Sequence, residues 1–360
     1  MSEPRWMIYG AYGYTGELIA REARRRGMRP VLAGRRREPL VPLAEALECP
    51  FLVLDLADAP AMAEALRDVS LVLHCAGPFS ETSPAMVTAC LAAGVHYLDI
   101  TGEIAVFEAI HSRDEAARKA GIVLCPGVGF DVIPTDCMAG VLHEALPSAT
   151  ELALGFDTRG GISPGTAKTS VEGLKFGGRV RREGRIEAVS LAWRERRIDF
   201  GAGEKMAATI PWGDVSTAFH STGIPNIEVY MAMSPRAVRR LRRLRFLRPL
   251  LATGVAQGVL KRQVERRVTG PDAAARARDN TYVWGEVRDA AGEVRRGVLV
   301  TANGYEVTVH GSLAVVERLL NDPPAGGAWT PSKLMGNRFV ESLPGSTRIE
   351  VAGEQGSSRA

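Results

Sequence analysis

Residues 6–16 read WMIYGAYGYTG, a short apolar run followed by glycines at G-x-x-G-x-x-G spacing, and a helical pattern starts near Glu17. A strand, a glycine turn and a helix in this order predict a dinucleotide site. The glycines permit a tight turn and a close approach to a pyrophosphate, and the helix N-terminus supplies free N–H groups. An ordinary strand-to-helix turn is the alternative. The expected cofactor contacts in this turn are Gly10, Tyr12, Gly13, Tyr14, Thr15 and Gly16.

The end of the second predicted strand indicates which dinucleotide binds. NAD-specific sites carry Asp or Glu about twenty residues after the glycine turn. This chain has Gly34, Arg35, Arg36 and Arg37 there. An acid would repel a 2′-phosphate, whereas a guanidinium binds it through paired charge-assisted hydrogen bonds. We therefore expect Gly34, Arg35 and Arg36 to bind NADP(H). A solvated charge run is the alternative, chiefly for Arg37.

The N-terminal third repeats strand, turn and helix, which predicts an α/β fold with a Rossmann-type doubly wound parallel sheet. Ser83 and Pro84 are expected to open one helix. Ligands of such sheets bind at the carboxyl ends of the strands. The predicted strands are Trp6–Gly10, Pro30–Ala33, Phe51–Asp55, Leu71–Cys75, Tyr97–Ile100 and Ile122–Cys125. The expected cofactor contacts after the third and fourth strands are Asp55, Leu56, Cys75, Ala76, Gly77, Pro78 and Phe79.

The length of 360 residues predicts a second domain. After Pro134 the pattern alternates as in antiparallel strands, and a helical pattern at 305–320 is expected to return to the first sheet. The predicted division is 1–130 for NADP binding with 303–345 returning, 131–302 as a mixed α+β domain for substrate binding or dimerisation, and 346–360 as a frayed tail. The expected strands of the second domain are Glu151–Phe156, Arg185–Val189, Tyr282–Val287 and Val298–Ala302.

Composition narrows the protein classes. With 46% hydrophobic and 24% charged residues and a net charge of +4, the chain should bury a core. Its five cysteines lack C-x-x-C or Cys/His spacing, so neither a metal site nor a disulfide framework is expected. Because the first strand starts within ten residues of the N-terminus, we expect no secretory leader and a cytoplasmic location. The apolar stretch at 246–260 is too short to span a membrane.

Five segments resemble the saccharopine dehydrogenase-like oxidoreductases, especially the branch that includes trans-acting enoyl reductases of lipid and polyketide assembly. They are Gly10–Gly16, Cys75–Phe79, His96–Glu103, Pro126–Pro134 and Gly326–Pro331. The resemblance implies a Rossmann domain, a mixed α+β domain and a C-terminal return to the first domain. It also implies NADP binding by the glycine turn, Arg35, Arg36 and the loop after the fourth strand. Gly129, Phe130 and Asp131 would lie near the nicotinamide, and Gly102 is a further expected cofactor contact. Tyr12 departs from the family, which often has a small residue there, and it could crowd the pyrophosphate or stack over it.

The candidates for proton delivery are Asp131, Glu103 and Lys168. The cofactor supplies the hydride, so the protein has to orient the substrate and deliver a proton. Asp131 could instead cap the following turn, and Lys168 could be a surface residue. No tyrosine has Lys four residues later, which excludes the short-chain dehydrogenase dyad. His74 lies inside an apolar strand and is expected to be a buried, hydrogen-bonded histidine.

The segment from Pro235 to about Val268 predicts a basic amphipathic helix. Its arginines could form a solvated face, or could dock to an anionic membrane or an acidic carrier protein. Nucleic acid is not expected as a partner, because bases stack on aromatic side chains and Phe246 is the only aromatic residue of this segment. A homodimer is left open.

The sequence favours NADPH-dependent reduction of a C=C bond in a small-molecule or carrier-bound acyl or polyketide-type substrate. One alternative is saccharopine-type C–N (imine) chemistry, for which Arg159, Arg179, Arg181 and Arg182 could bind carboxylates. A second alternative is a non-catalytic NADP-sensing protein.

Overall fold

The computed structural model describes residues 5–158, 177–251 and 270–354, together with residues 165, 253, 258 and 262. The chain forms two compact units, Met1–Asp131 with Tyr305–Leu334, and Val132–Gly304 with Met335–Ala360. The return to the first unit thus ends at Leu334, whereas the sequence predicted residue 345. Each unit is built around its own sheet.

The elements of the described residues are numbered in chain order. Strands β1 to β16 are Trp6–Tyr9, Val31–Gly34, Phe51–Val53, Leu71–His74, His96–Asp99, Val123–Cys125, Ala149–Thr158, Gly178–Arg182, Arg185–Val189, Glu195–Asp199, Glu204–Thr209, Asn226–Ala232, Thr281–Asp289, Val294–Thr301, Gly327–Ala328 and Glu350–Glu354. Helices α1 to α12 are Tyr14–Arg25, Arg37–Leu47, Ala59–Leu66, Phe79–Ala93, Ile104–His111, Asp114–Ala120, Ile133–Ala145, Asp214–Thr222, Pro235–Leu251, Ala273–Arg278, Gly304–Asn321 and Pro331–Met335. A 3₁₀ helix covers Phe339–Ser342.

The first unit contains a seven-stranded sheet in the order β15-β6-β5-β4-β1-β2-β3, with every neighbouring pair parallel. Strands β1, β2 and β4 are buried along their whole length, as their continuous apolar sequences require. The edge strand β3 leaves Phe51 and Val53 exposed. This sheet confirms the predicted Rossmann-type fold, and the chain adds β15 as a seventh strand.

Helix α4 begins at Phe79, so the predicted start at Ser83 and Pro84 is wrong. The carboxylate of Glu103 accepts hydrogen bonds from the N–H groups of Phe79 and Ser80, at 2.8 and 2.9 Å. This cap comes from a distant loop and lets the helix start one turn earlier. Pro84 lies inside the helix and removes one of its hydrogen bonds.

The second unit contains a mixed sheet in the order β10-β11-β12-β7-β13-β14-β16, and β8 adds a hairpin with β9 to β12. The predicted strands pair antiparallel, β7 with β13, β13 with β14 and β9 with β8, as expected. Strands β7 and β12 are parallel, which the sequence did not predict. Alternation predicts which face a side chain occupies, but not the direction of the neighbouring strand. Helix α7 lies close to β13 and β14, where a Cβ on Gly285 or Gly297 would meet Met138 within 2.7 Å.

The expected frayed tail at 346–360 contains a strand. Residues Glu350–Glu354 form β16, which pairs antiparallel with β14 from Val294 to Val298. The open hydrogen-bonding edge of β14 therefore orders a sequence that is polar and rich in small residues. Residues 355–360 lie outside the described part of the chain.

Candidate functional site

The glycine turn has the geometry that its spacing predicts. Gly10 has a φ of +84°, and its N–H donates to the carbonyl of Ala33 at 2.8 Å. A Cβ on Gly16 would lie 2.3 Å from the carbonyl oxygen of Gly10, and one on Gly13 would lie 3.2 Å from it. Helix α1 begins at Tyr14, directly after this turn, with Gly13 as its N-cap. Thr15 lies in its first turn, so free N–H groups of a helix N-terminus stand beside the turn.

The turn after β2 carries the arginines expected at a 2′-phosphate. Arg35 and Arg36 are both exposed, and neither forms an ion pair within the described residues. The guanidinium carbon of Arg36 lies 5.3 Å from the centroid of the Tyr12 ring. Arg37 instead lies over the ring of Phe51, at 5.5 Å. Arg35 and Arg36 thus keep their charge available for an anion.

A buried carboxylate connects the loops that follow β5 and β6. Asp99 Oδ1 accepts hydrogen bonds from the N–H groups of Thr101 and Gly127, at 3.0 and 2.9 Å. Its Oδ2 accepts one from the Tyr97 hydroxyl at 2.8 Å. Burial raises the pKa of Asp99 to about 6, against the opposing effect of these hydrogen bonds. Asp99 was not predicted as a functional residue, although an acid at the end of an apolar strand, within one of the five segments that carry the family resemblance, was a usable signal.

Glu103 belongs to the same connected set of loops. Its N–H donates to Thr101 Oγ1 at 3.1 Å, while its carboxylate caps α4. Both carboxylate oxygens are occupied by backbone N–H groups, and a negative charge is favourable at a helix N-terminus. The structure therefore gives Glu103 a positioning contact in place of the free carboxyl expected of a proton donor.

Asp131 lies against Gly102, since a Cβ on Gly102 would fall 2.4 Å from Asp131 Oδ2. The loop before it is held by helix α11, where the Phe130 N–H donates to Thr308 Oγ1 at 3.0 Å. A Cβ added to Gly129 would lie only 3.0 Å from Cγ2 of the same Thr308 side chain. The expected cofactor contact Gly102 therefore lies close to Gly129, Phe130 and Asp131, the residues expected near the nicotinamide.

The environment of Asp131 favours a protonated carboxyl. Desolvation raises its pKa from the ordinary value of 3.8 to about 7. No hydrogen bond or ion pair to its carboxylate is present in the described parts of the chain. The alternative that Asp131 caps the next turn does not hold, because α7 has Val132 at its N-cap and no side-chain cap. A carboxyl poised near neutrality is typical of an acid catalyst.

The remaining predicted contacts lie at the same carboxyl edge of the sheet. Asp55 Oδ1 accepts a hydrogen bond from the Ala57 N–H at 3.0 Å, and Leu56 packs against the core. In the loop from Cys75 to Phe79, the carbonyl of Ala76 accepts a hydrogen bond from the Thr82 hydroxyl at 2.7 Å. Burial raises the pKa of the Cys75 thiol. Gly77 and Pro78 complete this loop between β4 and α4.

Two aromatic contacts accompany the site. His74 is fully buried, its Nδ1 lies 3.2 Å from the Tyr97 hydroxyl, and burial lowers its pKa to about 3. The prediction of a buried, hydrogen-bonded histidine is therefore confirmed. Tyr14 packs edge-to-face against Tyr305, with ring centroids 5.0 Å apart. This contact joins the first turns of α1 and α11.

Lys168 and Arg159 lie outside the described residues. Of the other arginines considered for carboxylate binding, Arg181 is buried and donates to the carbonyls of Val215 and Gly184, at 2.7 and 2.6 Å. Arg182 stacks over Trp193 at 4.3 Å. Arg179 donates to the carbonyl of Gly178 at 3.0 Å. These guanidinium groups bind other groups of their own unit.

The basic helix α9 packs on its own unit through its apolar side. Val238 is 1% exposed and belongs to a cluster with Ala192 and Ala208. Arg242 donates to the carbonyl of Ala192 at 3.1 Å and pairs with Glu195. Its exposed arginines up to residue 243 are Arg236, Arg239, Arg240 and Arg243.

Among the described residues, no helix combines the length and the hydrophobicity that a membrane-spanning segment requires. No cluster of three His, Cys, Asp or Glu side chains suitable for a metal ion occurs in the same residues.

Fold and site together define a Rossmann-type dinucleotide-binding protein with a site at the carboxyl edge of a parallel sheet. Residues 6–125 match the family described as the saccharopine dehydrogenase NADP binding domain. These residues therefore form an NADP-binding domain of this type, and NADP(H) is its cofactor. The resemblance and the cofactor predicted from the sequence are confirmed.

Two relatives match part of this chain. A rat saccharopine dehydrogenase-like oxidoreductase is 29% identical over 157 residues, which is 38% of this chain and 36% of that protein. A Mycobacterium tuberculosis protein with the provisional name of trans-acting enoyl reductase is 32% identical over 186 residues, 47% of this chain and 43% of that protein. The matches thus span less than half of either relative.

Two solved structures share the fold over most of the chain. The apo saccharopine dehydrogenase (L-Glu forming) of Saccharomyces cerevisiae has a TM-score of 0.63 at 12% identity, covering 98% of this chain and 100% of that one. The homospermidine synthase of Legionella pneumophila, solved with NAD, has a TM-score of 0.68 at 8% identity, covering 98% and 92%. At these identities the likeness concerns the fold alone.

Proposed function

We propose that this chain is an NADPH-dependent reductase of a C=C bond in an acyl or polyketide-type substrate, with Asp131 as the proton donor. The observation that carries the proposal is the carboxyl of Asp131, whose pKa is raised to about 7 and which lies beside Gly102 in the NADP-binding unit. NADPH, when bound, supplies the hydride. Reduction then needs one proton, which a carboxyl that is protonated near neutrality can donate.

The loops around Asp131 have positioning roles in this proposal. Asp99 ties the loop after β5 to the loop after β6, and Glu103 ties the first of these to the start of α4. The Thr308 hydroxyl holds the backbone of Phe130, the residue next to the acid. Rigid support of this kind keeps a donor within reach of a bound substrate.

C=C reduction is favoured over C–N chemistry by two observations. The relative named as a trans-acting enoyl reductase is 32% identical over 186 residues. The guanidinium group of Arg181 donates to backbone carbonyls of its own unit, and that of Arg182 stacks on Trp193. A saccharopine-type substrate needs convergent arginines for its carboxylates. We further propose a reducing, cytoplasmic setting, as none of the five cysteines forms a disulfide.

The test is NADPH consumption by the full chain with two substrate panels. One panel holds α,β-unsaturated acyl thioesters, and the other pairs 2-oxo acids with amines. We expect oxidation of NADPH with the first panel, and a loss of about 10²- to 10⁴-fold in turnover for Asp131→Asn with unchanged NADPH affinity. Asp58→Asn is the control, because the Asp58 carboxylate caps helix α3 by accepting a hydrogen bond from the Ala61 N–H.

Other outcomes would overturn the proposal. Consumption restricted to the second panel assigns C–N chemistry. Tight NADPH binding without turnover on either panel, together with NADP-dependent capture of a partner, assigns an NADP sensor. Full turnover by Asp131→Asn removes Asp131 from the mechanism.

A further inference from the structure

We infer that Tyr12 and Gly34 act as one specificity unit, which holds Arg36 for the 2′-phosphate of NADPH and leaves no room for the acid that an NAD site would use. The inference deepens the proposed NADPH-dependent function and rests on it. It concerns a residue at which this chain departs from the small side chain common in the family.

The Tyr12 ring occupies the space where a side chain at position 34 would begin. A Cβ built on Gly34 would lie 2.4 Å from Tyr12 Cε1 and 3.1 Å from Cδ1. Real Cβ atoms do not approach other atoms this closely, so residue 34 has to be glycine while the ring stays in place. Position 34 is the last residue of β2, the region where NAD-specific sites carry their acid.

The same ring contacts Arg36 in two ways. The Arg36 N–H donates to the Tyr12 hydroxyl at 3.3 Å, which ties the turn after β2 to the glycine turn after β1. The guanidinium carbon lies 5.3 Å from the ring centroid, within the range of a cation–π contact. Tyr12 therefore restrains both the backbone and the charged group of Arg36.

Charge and exposure identify the ligand group that this arrangement fits. Arg36 is exposed and has no carboxylate partner among the residues that the structure describes. A guanidinium that is held on an aromatic face and lacks a counter-ion suits a phosphate monoester. The neighbouring Arg37 lies over the ring of Phe51 and not over that of Tyr12, so it provides a matched control arginine.

The experiment measures binding of two fragments to the full chain by calorimetry. Adenosine 2′,5′-bisphosphate carries the 2′-phosphate, and adenosine 5′-phosphate lacks it. We expect Arg36→Ala to weaken only the bisphosphate, by about tenfold or more. Tyr12→Ala should weaken it by about two- to fivefold, the size of an exposed cation–π contact. The Arg37→Ala variant should bind both fragments like the unmodified chain.

A double variant tests whether Tyr12 acts through Arg36. If it does, Tyr12→Ala combined with Arg36→Ala binds the bisphosphate no more weakly than Arg36→Ala alone. Multiplying losses would overturn the inference, as would equal weakening of both fragments by Tyr12→Ala or no weakening of either. Neither fragment carries a nicotinamide, so their binding does not depend on catalysis. The fragment-binding result therefore stands even if the proposed reductase activity is not found.

Discussion

Replacing Asp131 by Asn should stabilise the protein, and the gain in free energy of unfolding should grow as the pH rises. Desolvation raises the pKa of Asp131 from 3.8 to about 7, so the folded state binds this proton more tightly than the unfolded state. A carboxyl of this kind contributes its full stability below about pH 4 and loses it as the pH rises through 7. Asparagine has no proton to lose over this range.

The size of the effect follows from the same two values. At about 1.4 kcal/mol per pKa unit, a rise from 3.8 to about 7 corresponds to at most about 4 kcal/mol. Asp131 is not completely buried, and solvent screening lowers this figure. We compare the free energy of unfolding of Asp131→Asn with that of the unmodified chain at each pH. The advantage of the variant should be about 1–3 kcal/mol larger at pH 8 than at pH 4.5.

Urea unfolding of both proteins between pH 4.5 and 8 measures this difference. Asp289→Asn is a control that should not depend on pH in this range, because the Ser148 hydroxyl that bonds to Asp289 holds its pKa below the ordinary value. That carboxylate is ionised in the folded and unfolded states over most of the range, so its loss should change the free energy of unfolding by nearly the same amount at pH 4.5 and at pH 8. If the difference for Asp131→Asn is flat across the range, the carboxyl is not desolvated, and the argument for it as an acid at neutral pH fails.

Three further predictions concern the cofactor loops and the basic helix. Gly16→Ala should reduce NADPH affinity at least tenfold in a binding titration, and by more than Gly13→Ala does. The added carbon would lie 2.3 Å from the Gly10 carbonyl oxygen at position 16 and 3.2 Å from it at position 13. Equal losses would contradict this. Glu103→Ala should lower the free energy of unfolding by about 1–2 kcal/mol through loss of the α4 cap, and Glu103→Gln should lower it by less. If Glu103→Gln were as inactive as Asp131→Asn, Glu103 would be a proton donor. Helix α9 buries Val238 on its apolar side and leaves its exposed arginines on the opposite side. We propose that these arginines dock an acidic carrier protein, with salt-sensitive binding that Arg239→Glu abolishes. Sedimentation with anionic but not neutral vesicles would instead assign this surface to membranes.

The sequence predicted most of the first sheet, because buried parallel strands are continuous apolar runs. Strands β1 to β6 lie within two residues of their predicted ends. It could not predict β15, whose two residues, Gly327 and Ala328, are too short for any periodicity and form a strand by pairing with β6. Strand β16 has the same origin, since the edge of β14 orders it.

The candidate site divides in a similar way. Glycine spacing and the arginines after β2 were sufficient for the cofactor, because each depends on local geometry and charge. The roles of Asp99 and Glu103 depend on contacts between separate loops, such as Asp99 with Gly127, which sequence spacing does not encode. The raised pKa of Asp131 likewise arises from burial, which only the folded chain reveals.

The discontinuous first unit has a consequence for the order of events during synthesis. Its early part ends at Asp131, but Thr308, which bonds to Phe130, and strand β15 follow only after residues 132–304 have been made. At 5–20 residues per second this interval lasts roughly 10–35 s. Throughout it the nascent sheet exposes the β6 edge, where an exposed strand edge can pair with another chain. A chain that stalls on the ribosome within this interval would leave that edge uncovered.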